Sequence, residues 1–170
     1  MIKTRGFTLT EMLVVLAIIG TLVGFGYPVT LSFIAKSREA ACLTQLRSLG
    51  VALQTYLQEH NDKMPELAAS RASKMEDLPV LETVLLPYLE APDAFRCPAD
   101  KAQFEKSGSS YLWNSTQNGL HVSQLSFFGI KDQPDKIPLI ADKESWHPGG
   151  TNFLYADSSS SNKPRFAAGN

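Results

Sequence analysis

One acidic side chain in an otherwise apolar run is the first feature of this sequence that could do chemistry. Glu11 lies near the start of RGFTLTEMLVVLAIIGTLVGFGYP, residues 5–28. A charge at membrane depth costs at least about 2.5 to 3.5 kcal/mol on insertion scales, so it persists where a partner offsets that cost. The run therefore predicts a partner charge for Glu11. The alternative is that Glu11 lies at a helix N-terminus, where the helix dipole favours an acid.

The apolar run itself is long enough to cross a membrane. From Phe7 to Gly26 it holds about 20 residues, which at about 1.5 Å rise per residue span about 30 Å. Lys3 and Arg5 precede it without any acid. The positive-inside rule then predicts a single-pass membrane protein, with its N-terminus in the cytoplasm and everything after Pro28 outside. A cleaved signal peptide is disfavoured, because residues 24–28 lack the usual small-residue cleavage pattern.

The charge of the chain excludes one class of function. The net charge is -1, and the basic residues are dispersed. A nucleic-acid-binding face needs clustered Lys and Arg side chains. We therefore expect no nucleic-acid partner.

The segment GFTLTEMLVVLAIIGTLVG resembles the N-terminal processing and methylation segment of type IV pilins and type II secretion pseudopilins. Thr10 departs from that pattern, where Ile or Val is usual. The resemblance implies cleavage between Gly6 and Phe7 by a prepilin peptidase, followed by N-methylation of Phe7. It also implies that Glu11 faces the terminal ammonium of a neighbouring subunit, and that Pro28 lies where such helices often carry a kinking proline.

The helical pattern continues beyond Pro28. An apolar stripe with spacings of three and four predicts that one helix runs from about Thr8 to about His60, where HNDKMP ends it. The stripe is formed by Leu43, Leu46, Leu49, Leu53, Tyr56 and Leu57. The predicted polar face holds Lys36, Arg38, Glu39, Gln45, Arg47, Gln54 and Gln58.

Short helices and short strands are predicted after the long helix. EDLPVLETVLLPYLEAPDAF is broken by prolines and favours one or two short helices, whereas SSYLWN, KIPLIAD and TNFLYAD favour a small antiparallel sheet. The predicted fold is a pilin-like α+β architecture. Its parts are a leader (1–6), a transmembrane and assembly segment (7–29), an amphipathic continuation of the helix (30–61) and a globular head (62–170).

A second resemblance rests on the head. CLTQLRSLGVALQTYLQEHNDKMP, LLPYL, FRCPAD and WHPGGTNFLYAD are similar to segments of a bacterial group of prepilin-type proteins marked by a late His, nine residues and Asp-Gly. Here His147 and Asp157 match that signature. Ser158 stands in place of the Gly, and a run of serines follows. Since Asp-Gly favours a tight hairpin turn, the serine run predicts a longer, mobile loop instead.

The two cysteines offer a covalent link between helix and head. Cys42 falls on the extracytoplasmic half of the long helix and Cys97 in FRCPAD. Disulfides persist in an oxidising compartment, so we favour a bridge between them. Two buried free thiols remain the alternative, because sequence does not fix connectivity.

The sequence gives little support for a metal site, a cofactor or an active site. Asp142 and Asp157 could contribute to a calcium site, but the region has few of the oxygen ligands that calcium needs, and we expect no metal and no cofactor. His147, Asp157 and a serine from 158–161 could form a nucleophilic set, but no motif marks the serine as activated. His60 and His121 lack partners at metal-binding spacing. We expect no enzymatic activity.

The sequence thus favours a structural pilin-like subunit, and a type II secretion pseudopilin over an adhesive pilus subunit. The implied partners are other pilin-like subunits, a prepilin peptidase and methylase, and an inner-membrane assembly platform with its ATPase. The alternative is a single-pass membrane protein that never polymerises and whose head binds an extracytoplasmic ligand or substrate.

Overall fold

A long N-terminal helix dominates the fold. The computed structural model describes residues 7–166, without the side chains of residues 25–28. Helix α1 runs over Leu9–Glu59, with Thr8 as its N-cap and His60 as its C-cap. This confirms the predicted span. The helix continues through Pro28, so this proline does not end it, and the bend expected there stays a prediction.

The chain turns sharply after α1 and then forms several short helices. Asn61 and Asp62 both adopt positive φ, at 54° and 57°, a conformation that Asn and Asp tolerate better than most residues. Short elements follow as α2 (Leu81–Val84), 3₁₀ turns at Leu86–Tyr88 and Pro92–Phe95, and α3 (Gln103–Ser107).

The head contains a four-stranded antiparallel sheet and a separate two-stranded hairpin. The strands are β1 (Tyr111–Trp113), β2 (Ser126–Phe127), β3 (Ile130–Lys131), β4 (Pro138–Asp142), β5 (Phe153–Tyr155) and β6 (Ser160–Ser161). The larger sheet has the order β1-β4-β5-β6, and β2 pairs with β3. In β1 and β4, Tyr111 lies opposite Asp142 and Trp113 opposite Ile140.

The core lies between the second half of α1 and this sheet. The helical stripe buries four of its five leucines, because their spacing of three and four residues keeps them on one face. Leu43 is half-buried and lies outside the core cluster. The buried stripe comprises Cys42, Leu46, Leu49, Leu53 and Leu57, and it packs in one cluster with Trp113, Ile137, Leu139, Ile140 and Leu154. The predicted α+β pilin-like fold is confirmed.

Two local predictions are wrong. Glu39, assigned to the polar face of α1, is buried at 8% exposure. The second half of the serine run forms strand β6, which pairs with β5 through Leu154 and Ser160, where a mobile loop was expected. The tight turn survives the loss of glycine because Ser158 itself adopts a left-handed φ of 65°. Asp157 Oδ1 fixes this turn by accepting hydrogen bonds from the backbone N–H and the hydroxyl of Ser159.

Candidate assembly segment and signature site

The carboxylate of Glu11 is part of the cap of helix α1. Its Oε2 atom accepts hydrogen bonds from the backbone N–H and from the hydroxyl of Thr8, both at 2.8 Å. The Thr8 hydroxyl accepts in turn from the Glu11 backbone N–H at 3.2 Å. This reciprocal pair is a capping box, so the helix-end reading of Glu11 has a direct structural basis. Among the described residues, none donates a hydrogen bond to the other oxygen, Oε1.

The apolar side chains of the first half of α1 are bare. Phe7 is 76% exposed, and exposed large apolar residues recur along the helix to Phe33, which is 69% exposed, and Ile34. Helix α1 contains a stretch long and apolar enough to cross a membrane, none of it buried within the chain. The bare length, about 40 Å at 1.5 Å per residue, exceeds the hydrocarbon core of about 30 Å.

A second candidate site lies where α1 meets the head. Cys42 and Cys97 form a disulfide with their Cα atoms 5.1 Å apart, as the sequence favoured. His147, buried at 6% exposure, places Nε2 3.3 Å from the Cys97 sulfur and 3.6 Å from Asp142 Oδ2. The same Asp142 oxygen accepts from the backbone N–H of Asn152 at 2.9 Å.

Burial governs the protonation of this site. It raises the pKa of Asp142 to about 7, against the hydrogen bonds from Asn152 and with the help of the negative charge of Glu39. Burial also lowers the pKa of His147, which the charge of Glu39 opposes. Both groups are therefore favoured in their neutral forms, because an ion pair at this depth would lack most of its hydration.

The turn of His147 fits closely against α1. The His147 carbonyl accepts from the Gly150 N–H at 3.0 Å, and Glu39 Oε1 accepts from the Asn162 amide at 2.7 Å. A Cβ on Gly149 would collide with Glu39 Oε1 and lie 2.6 Å from Asn162 Nδ2. Only a glycine at position 149 lets this turn approach the helix without displacing those side chains.

Comparison with known proteins bears on the N-terminal segment. A family model described as the prokaryotic N-terminal methylation motif matches residues 1–27. The type IV major pilin protein PilA of Myxococcus xanthus (strain DK1622) is 37% identical over 57 residues, which are 34% of this chain and 26% of that relative. The N-terminal segment of the chain is therefore similar to that of type IV pilins. The match with PilA thus spans about a quarter of the relative's length. No solved structure matches.

The structure separates the two residues of the late His and Asp signature. His147 lies before β5, beside the disulfide, whereas Asp157 follows β5 and bonds Ser159. Asp142 and Asp157 likewise flank opposite ends of β5 and share no site. His147, Asp157 and the serines thus do not form a nucleophilic set in the described head. Gly6 lies outside the described residues, whereas Phe7 immediately precedes the cap of α1.

Three residues around the disulfide were not predicted from the sequence as part of this site. Asp142 was considered only as a calcium ligand, and Gly149 was not singled out. Glu39 was placed on the polar face because it is charged, although it lies three residues before Cys42 and seven before Leu46. That spacing puts Glu39 on the buried stripe, so periodicity alone would have located it.

Proposed function

We propose that this pilin-like chain is a structural subunit of a type II secretion or type IV pilus-like filament. Processing after Gly6 would release Phe7 as the N-methylated first residue of the mature chain. The observation that carries the proposal is the bare apolar face of α1, headed by Glu11, within the segment that matches the methylation motif.

The length of the bare helix supports assembly in addition to anchoring. A bilayer would cover about 20 helical residues, yet exposed apolar side chains continue to Ile34. A monomeric anchor would leave the last of them in water. In a helical bundle of subunits, neighbouring copies would cover these side chains, which is favourable by about 25 cal/mol for each Å² of apolar surface.

The geometry of Glu11 supports a second, intermolecular partner. The capping box uses Oε2 and leaves Oε1 without a donor among the described residues. After cleavage, the terminal ammonium of Phe7 would lie one residue before this cap. Thr8 gives the Glu11 carboxylate two hydrogen bonds but no positive charge. The ammonium of another copy can supply the charge that neutralises Glu11 in a low-dielectric environment.

The remaining partners follow from this proposal. The subunit would enter the inner membrane with its N-terminus in the cytoplasm and its head outside, be cut and methylated by a prepilin peptidase, and be extracted by an assembly platform driven by an ATPase. We favour a pseudopilin over an adhesive pilus subunit.

Three single variants test the proposed role of Glu11 against its capping role. Glu11→Ala removes charge and cap, Glu11→Gln keeps an amide that can cap but removes the charge, and Thr8→Ala weakens the cap but keeps the charge. We expect both Glu11 variants to reduce filament incorporation more than tenfold, because removing one partner of a buried charge pair costs about 3 to 5 kcal/mol. Thr8→Ala should assemble, since a lost N-cap costs about 1 kcal/mol.

The measurement is the fraction of membrane-inserted protein recovered in sheared filaments from the native bacterium. Equal recovery of native protein and Glu11→Gln would contradict charge pairing. Native protein that stays monomeric in the membrane under all assembly conditions would instead favour the non-polymerising binding module.

A further inference from the structure

The disulfide lies within a cluster of groups that are ordinary zinc ligands. Ligand atoms of Cys42, Cys97 and His147 all lie within 4.8 Å of one another, and all three residues are buried. This is the one such cluster within residues 7–166. Asp142 lies beside it, with Oδ2 3.6 Å from His147 Nε2 and with Oδ1 lacking a hydrogen-bond partner among the described residues.

Two distances around His147 Nε2 match those of a tetrahedral metal site. With a Zn–S bond of about 2.3 Å and Zn–N and Zn–O bonds of about 2.0 Å, tetrahedral angles place S and N about 3.5 Å apart, and N and O about 3.3 Å apart. The observed distances are 3.3 Å from Cys97 Sγ to His147 Nε2 and 3.6 Å from that nitrogen to Asp142 Oδ2. The two sulfurs must separate, because the disulfide holds them in bonding contact. The Asp142 carboxylate must also move closer to them, because it lies outside the group of ligand atoms within 4.8 Å of one another.

We propose that reduction of the Cys42–Cys97 disulfide converts this cluster into a zinc site, with both thiolates and His147 Nε2 as ligands and Asp142 Oδ2 in the fourth position. A dithiol supplies the two electrons and two protons that split the S–S bond, and it leaves as its own disulfide. Binding of Zn²⁺ then releases the two thiol protons to solvent. Thiolate and imidazole together select Zn²⁺ over Mg²⁺ or Ca²⁺, which prefer oxygen ligands.

The four ligands come from four separate parts of the fold. Cys42 lies on α1, Cys97 follows the 3₁₀ turn Pro92–Phe95, Asp142 ends β4 and His147 lies in the turn before β5. A metal ion here would hold α1 to the head at the point where the disulfide does. The negative charge of Glu39, which acts on both Asp142 and His147, also favours a cation. The proposal stands apart from filament assembly.

Cobalt binding by the full chain in detergent tests the proposal. The protein is reduced with dithiothreitol, desalted under anaerobic conditions and titrated with Co²⁺ alone, with the oxidised protein alongside. We expect one Co²⁺ per reduced chain, with thiolate-to-cobalt charge transfer in the near ultraviolet and the visible bands of a four-coordinate ion. Zn²⁺ should displace the Co²⁺, and the oxidised chain should show none of these bands.

Substitutions assign the ligands. His147→Ala should weaken Co²⁺ binding at least about tenfold and change the visible bands, as loss of a ligand or its support does, and Asp142→Asn should shift the bands. The control His121→Ala removes an exposed histidine and should change nothing. The proposal would be overturned if His147→Ala left the visible Co²⁺ bands unchanged, or if the oxidised chain bound Co²⁺ as tightly as the reduced chain. If the reduced chain unfolds, Zn²⁺ should restore its circular dichroism, and failure to do so would also overturn it.

Discussion

Cys42 on helix α1 is covalently joined to Cys97, 55 positions along the chain. Both side chains are fully buried in the core cluster, so the bridge fastens the helix to the head where the bare apolar half of α1 gives way to the packed half. A force applied along the helix would therefore reach the head through a covalent bond as well as through packing.

Removal of this bridge should destabilise the head. A loop of this length gives about 4 kcal/mol from loop-closure entropy, so the double variant Cys42→Ala, Cys97→Ala should lose stability by about that amount. Urea unfolding followed by the fluorescence of the buried Trp113 provides the measurement. Ser48→Ala, an exposed change on the same helix, serves as control. A double variant as stable as the control would show that packing alone fixes the helix.

The buried Asp142 should give stability an unusual pH dependence. Its pKa rises on folding from 3.8 to about 7, so between these values the folded chain holds a proton that the unfolded chain has lost. The stability that this bound proton gives to the folded chain is fully present below about pH 4 and is lost as pH rises through about 7. Relative to the native chain, Asp142→Asn should therefore gain about 2 to 4 kcal/mol between pH 4 and pH 8.

Urea unfolding of both proteins at several pH values gives this difference, and other titrating groups cancel in the comparison. His147, whose pKa burial lowers, is present in both. A variant that becomes less stable than the native chain at high pH would contradict the prediction, because it would mean that Asp142 is ionised and paired with His147.

A buried ion pair holds the segment before α2. Arg71 donates to Glu82 Oε1 at 2.9 Å, and both side chains are largely buried. Arg71→Met should destabilise the head by about 3 to 5 kcal/mol, because Glu82 is left buried without its partner. The double variant with Glu82→Leu should recover most of that loss.

The matched control for this pair is Lys74→Met. Lys74 pairs with Glu105 at the surface, 3.7 Å away and with both side chains well exposed, so its loss should cost less than about 1 kcal/mol. Thermal unfolding of the four proteins measures all these differences. Equal losses of stability for Arg71→Met and Lys74→Met would contradict the expectation that a buried ion pair costs more to break than an exposed one.

The sequence predicted features whose physical cause is local or periodic. The span of α1 follows from apolar residues at helical spacing and from the break at HNDKMP, and three strands follow from short β-prone runs. The disulfide was favoured because both cysteines lie in the extracytoplasmic part. Glu39 was missed because a charged residue on an apolar stripe was assigned by type rather than by position.

Other features depend on contacts between distant parts of the chain, which spacing does not reveal. The position of His147 beside Cys97 requires the turn before β5 to lie against α1, and Gly149 permits that approach. The β5–β6 turn keeps its tight form without glycine because Ser158 tolerates a positive φ, while Gln54 on α1 donates to its hydroxyl at 2.9 Å. These pairings appear only in the folded head.

The mass of the N-terminal peptide from protein extracted from native membranes tests the central proposal most directly. We expect the chain to begin at Phe7, with residues 1–6 removed and the mass of one methyl group added to the terminal amine. A native protein that retains Met1, or that begins near Tyr27 after signal-peptide cleavage, would contradict processing as a pilin-like subunit.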